Sequence, residues 1–193
     1  MRTLDDAWNW YTNNKKLLKI VSRLGDRYWN ELPWEGRLGN DDHLRHLEGI
    51  DVKKDADSVL AEFDDVGIFV IFSVFEAIVR QHVSQDLQSE VANLQHVALK
   101  RSAGKVMQNI EEGSFYNHVL ELFKVSGNEP GGQDVNHLVE DVSRVRRYRN
   151  WVAHGRRPDK KTFSLLPKDS FDILQAFLDH IGYGPPAEVM VGP

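Results

Sequence analysis

The sequence predicts an all-α helical bundle. Apolar residues recur at three- and four-residue steps through most of the 193 residues, the spacing of one helix face. Capping residues and glycines bracket those runs. No apolar run has both the length and the flanks of a strand. The length suits one domain, taken as residues 1–182, with a flexible tail over 183–193. A hydrophobic fraction of 41% can close a core in a chain of this size without covalent staples. Cysteine is absent, which removes disulfides and thiolate metal sites and fits a reducing, cytoplasmic setting. The start, Met1-Arg2-Thr3-Leu4-Asp5-Asp6, lacks the layout of a secretory signal, and the longest apolar run, residues 67–75, is too short to span a bilayer.

In order along the chain, residues 3–24 form the first predicted helix. Thr3 caps it, Asp5 and Asp6 suit its first turn, and Gly25 is expected to end it. Residues 25–42 are a connection containing Pro33, Gly36 and Gly39, in which Trp29 and Trp34 serve as lids on the core. A short helix over 41–48 would put His43 and His46 on one face, a weak metal signal without a third ligand. A helical turn over 57–63 precedes a central helix over 66–93. That helix is apolar almost all round at its start and is therefore expected to be buried there. Helix is predicted again over 94–110, and Ser114 caps one running to about 125. Residues 126–132 are a glycine-rich loop without the spacing of a phosphate-binding loop. Residues 134–154 give the clearest helix, with Val135, Leu138, Val139, Val142, Val145, Arg149 and Val152 in one stripe and Gly155 as the stop. A last helix, capped by Asp169 or Ser170, runs to Gly182.

Charge is unevenly spread. The net charge is −5, yet residues 144–161 hold eight Lys/Arg against one acid, Asp159. A basic island on an acidic body suggests a localised anion site; the bland reading is a solvated helix end. Within the buried run, Glu76 is the one acid among apolar neighbours. It is either an edge position reaching water or the partner of a buried arginine, with Arg149 the obvious candidate.

Chemistry concentrates in Arg149-Asn150-Trp151-Val152-Ala153-His154. Arg149 interrupts the apolar stripe. Arg147, Asn150 and His154 share a neighbouring polar row. Arginine binds phosphate with a planar fork, and histidine exchanges protons near neutral pH. That pair suits RNA cleavage by the RNA's own 2′-hydroxyl, which needs a base and cationic support but no metal. The bland reading is a structural salt bridge and a histidine capping helix carbonyls.

This hexad resembles the Arg-x4-6-His motif of HEPN domains, including the polar residue after the arginine. Residues 73–80, Ser-Val-Phe-Glu-Ala-Ile-Val-Arg, resemble the acid-bearing earlier helix of several HEPN groups. The resemblance implies a HEPN-type bundle with added short helices and loops. It also implies a metal-independent endoribonuclease, often a toxin or abortive-infection effector, with its cleft between two protomers. Arg149, Asn150 and His154 would be catalytic and Glu76 supporting. Arg146, Arg147, Arg156 and Arg157 would draw in RNA. No cofactor or metal is implied; the expected partners are RNA, a second copy and an antitoxin or other regulatory protein. One departure stands out: the tyrosine that antitoxins of the nucleotidyltransferase type modify, two residues after the histidine, is Arg156 here. The alternative is a non-catalytic helical module that binds an acidic partner protein or a nucleotide.

Overall fold

The computed structural model describes residues 1–125, 132–156 and 163–183, and among them every regular element is helical. The chain is all-α. It divides into two compact units. One is Trp8–Gly67; the other combines Met1–Ala7 with Ile68–Pro193.

The smaller unit is an antiparallel helical hairpin. Helix α1 (Leu4–Arg23) supplies its first arm from Trp8 onward, and the first part of α2 (Gly49–Ala92) supplies the second. Cross-contacts run in opposite directions along the two arms: Tyr11 meets Asp64, Ser22 meets Asp57 and Gly25 meets Gly49. Asp64 is the main polar tie, accepting from the Tyr11 hydroxyl at 2.6 Å and from the Lys15 ammonium. Burial pushes the Asp64 carboxyl up, but the hydrogen bonds from Lys15 and Tyr11 outweigh it and leave it below the ordinary carboxylate value. Burial pushes Lys15 down, and its bonds to Asp64 and Tyr11 leave it above the ordinary lysine value.

Three expectations fail in this unit. Gly25 does not end α1, because a π turn (Leu24–Tyr28) continues the winding. Its role is proximity: a Cβ there would stand 2.6 Å from the Gly49 carbonyl oxygen. Residues 41–48 form turns, held by Asp41 Oδ1 accepting from the His43 and Leu44 amides, so His43 and His46 do not share a helical face. The expected break near residue 64 is absent. Asp64 faces α1, where its charge is used, so nothing interrupts α2 over its 44 residues. Trp29 and Trp34 pack on each other, with centroids 4.9 Å apart, and Trp29 touches Gly49 at the start of α2.

The larger unit holds the main core. Ile68, Ile71, Phe72, Phe75 and Val79 on α2 are buried with Val139, Val142 and Val145 on α5 (Gly132–Ala153) and Leu174, Phe177 and Leu178 on α6 (Pro167–His180). Edge-to-face rings tie these layers: Phe75 to Phe177 at 5.7 Å and Phe72 to Phe115 at 5.9 Å. Between them lie α3 (Val97–Glu112) and the single turn α4 (Phe115–His118), which Ser114 caps as expected. Helix does not run unbroken from α2 into α3. The chain opens at 93–96 and His96 Nδ1 caps α3 by accepting from the Ala98 amide; of α3's residues Ile110 alone is buried. The helix expected to reach 125 shortens to α4 and a 3-10 turn (Leu120–Phe123). Helix α6 starts at Pro167 rather than at Asp169 or Ser170, since proline needs no amide partner in a first turn. Ser170 instead is buried and donates to the Leu166 carbonyl. Gly182, at φ +74°, ends that helix as expected. The glycine-rich loop and the tail over 184–193 lie outside the described residues.

Candidate functional site

The site forms at the C-terminal end of α5. Its stripe of valines drives that helix into the core, and Arg149 follows Val145 by one turn on the same face. The arginine is therefore carried inward by its neighbours, and its side chain stays only 23% exposed. Its guanidinium lies 5.0 Å from the Phe72 ring centroid and 5.7 Å from that of Phe69.

Glu76 resolves in favour of pairing. Its Oε2 accepts from Arg149 Nη2, and its Oε1 accepts from Arg80 Nε at 3.1 Å and Nη2 at 2.7 Å. Arg80 was not singled out by sequence as a site residue. It stands one turn from Glu76 and also donates to the Ile110 and Gly113 carbonyls at the end of α3. Its i, i+4 spacing from Glu76 was the available signal, but that spacing alone marks an ordinary surface pair. Asn150 Oδ1 accepts from Arg149 Nη1 at 3.1 Å, so Asn150 positions the arginine.

One carboxylate thus serves two guanidiniums, and a third lies nearby. Arg146 sits with its guanidinium carbon 4.9 Å from the Tyr116 ring centroid. Burial pushes it below the ordinary arginine value, and neighbouring Arg147 and Arg149 act in the same direction, opposed by Tyr116 and Glu76. The Nε atoms of Arg146 and Arg149 are buried without a hydrogen-bond partner among the described residues. Arg147 is exposed.

His154 lies just past the helix. Its amide donates to Asn150 O at 3.0 Å, and the residue is exposed. The helix stop is a Schellman turn: Gly155 N donates to Val152 O, Arg156 N donates to Trp151 O, and Gly155 has φ +79°. Arg156 also has a positive φ, +54°, and is half-buried. Arg157 lies outside the described residues. Arg144 pairs with Asp141 at 3.1 Å and so leaves the anion site to its neighbours.

The arrangement offers a partly desolvated cation cluster near the end of α5, and the exposed His154 is the first residue past that helix. Such a cluster can hold a phosphate, and the imidazole can exchange a proton with a group bound there. Two clefts have other linings. One of 460 Å³ is bordered by His82, Asp86, Phe123 and His180, and one of 620 Å³ by Gly25, Asp26, Lys53 and Asp57. Among the described residues no three His, Asp or Glu side chains converge as a metal site, and no helix is long and apolar enough to cross a membrane. Comparison with protein-family models, curated proteins and solved structures finds no match to this chain.

Proposed function

We propose that the protein is a metal-independent endoribonuclease of the HEPN type, a toxin or defence effector acting on RNA at a cleft shared by two copies. The carrying observation is the surplus of positive charge around Glu76: Arg149 and Arg80 both pair with that one carboxylate, Arg146 adds a third cation within its electrostatic reach, and the exposed His154 follows at the end of the same helix as Arg149. A polyanion is the natural complement of that surplus. Arg149 holds the scissile phosphate, and Asn150 keeps the guanidinium in plane. His154 takes the 2′-hydroxyl proton, the 2′-oxygen attacks the adjacent phosphorus, and the P–O5′ bond breaks. His154 of the partner subunit, protonated, gives its proton to the departing 5′-oxygen. The products are a 2′,3′-cyclic phosphate and a 5′-hydroxyl. Arg146, Arg147 and Arg156 attract the backbone with salt-sensitive affinity.

The deciding assay is RNA cleavage in excess EDTA, with wild type and His154→Ala. The expected result is cyclic-phosphate product from wild type and a loss of roughly a hundredfold or more in the variant, in line with general acid–base catalysis. Cleavage abolished by chelation and restored by zinc or magnesium, or unchanged by His154→Ala, overturns the proposal. A second reading has its own support: two Arg149 donors are already taken by Glu76 and Asn150, as in a structural ion pair. Under that reading the chain is a non-catalytic helical module whose basic end binds an acidic protein or nucleotide, and RNA is not cut at all.

A further inference from the structure

We propose that the helical hairpin, Trp8–Gly67, is a self-association element in which α1 of one copy lies across α2 of a second copy of this chain. A two-helix hairpin closes one seam and leaves another face open. Here that face is apolar and regularly spaced. Leu17 and Val21 on α1 and Leu24 at the start of the π turn that continues it are spaced by four and three, and Val59, Phe63 and Val66 follow α2 at the same steps. This is the repeat of helices packed lengthwise against a partner. Trp10, one heptad before Leu17, meets Phe63 with ring centroids 5.7 Å apart, which sets the two series side by side. Yet Leu17 is 58% exposed, Val21 39%, Val59 49% and Val66 40%.

Charge selects the occupant. Residues 15–23 carry four Lys/Arg and no acid, a charge of +4; residues 51–65 carry six acids and two lysines, a charge of −4. Within one hairpin Lys15 pairs with Asp64 across the seam and Lys53 pairs with Asp57 along α2, while Lys16, Lys19 and Arg23 on one arm and Asp51 and Asp55 on the other are exposed. A surface with one basic and one acidic edge complements itself under a two-fold rotation, provided α1 faces α2 of the other copy. Stacking α1 on α1 would set like charges together. The result is a four-helix arrangement that covers both seams. The inference rests on the hairpin alone and does not require the ribonuclease reading.

The test is the mass in solution of the full chain, by light scattering or sedimentation at micromolar concentration. Wild type is expected at twice its 22.2 kDa. One variant reverses the basic arm (Lys16→Glu, Lys19→Glu, Arg23→Glu) and a second reverses the acidic arm (Asp51→Lys, Asp55→Lys, Glu62→Lys). Each alone should fall to monomer mass with its helicity retained, and an equimolar mixture should return to dimer mass, because both crossed interfaces are again complementary. If a triple variant loses helicity, Leu17→Glu at its exposed position provides the monomer readout. A monomeric wild type, variants that stay dimeric alone, or a mixture that stays monomeric each overturns the proposal. Dimeric variants that still cleave RNA would leave the ribonuclease reading standing without this one.

Discussion

Two carboxylates each tie two helical segments together, and they differ in what surrounds them. In the hairpin, Asp64 accepts from one ammonium and one phenol, so Lys15 and Asp64 cancel. In the larger unit, Glu76 accepts from two guanidiniums, with Arg146 close by and two arginine Nε atoms unpartnered. The first network is electrically complete and holds a fold together. The second keeps a net positive charge inside a partly desolvated pocket, a costly arrangement that an anion relieves. Similar bonding therefore has different meanings, and the local charge balance separates them.

The sharpest way to break this comparison is Glu76→Gln. It leaves two facing guanidiniums without their shared counter-charge and should cost about 3 kcal/mol in denaturant unfolding, the lower end for a broken buried pair. Adding phosphate should recover part of that loss in the variant. A cost below that of the Asp64 variant would mean that the arginines relax into water and that the surplus is not real.

Asp64→Asn should cost less, about 1 kcal/mol, because its side chain is 40% exposed and solvent screens the pair. Its signature is the pH profile. The folded Asp64 carboxyl lies below its ordinary value, so its contribution is full above about pH 3.9 and is lost as the pH falls through the lowered value. Lys15 lies above its ordinary value, so its contribution is full below about pH 10.4 and is lost as the pH rises through the raised one. Between those limits the tie is constant. The variant's stability should accordingly fall less steeply below pH 4 than wild type's, and parallel acid limbs would show that Asp64 contributes no linkage.

The smallest effect on stability should come from Arg147→Ala. The residue is exposed, so unfolding should move by no more than about 0.5 kcal/mol. The salt dependence of RNA binding should flatten by roughly one unit of slope if Arg147 meets one phosphate. An unchanged slope would remove Arg147 from the residues that meet RNA phosphates.

Local signals were legible without coordinates. The valine stripe of α5, the Gly155 and Gly182 stops and the Thr3 and Ser114 caps depend on residues within a few positions of one another, and each stands as expected. Arg149 was visible as a cation on an apolar face, and Glu76 as its candidate partner, because a charge in such a run needs a counterpart somewhere. The sequence by itself thus determined the all-α class, the position of the motif at a helix end and the need to neutralise Glu76. Tertiary structure decided which of two readings met that need, and it added Arg80, whose carbonyl partners at 110 and 113 lie thirty residues away. It turned Gly25 from a helix stop into a point of close backbone approach, and it carried α2 through Asp64 by supplying Lys15 and Tyr11 from another helix. The physical reason is the same in each case. Periodicity and capping are short-range and written in adjacent residues, whereas the free energy of a buried charge or a tight contact is set by whatever the fold brings against it.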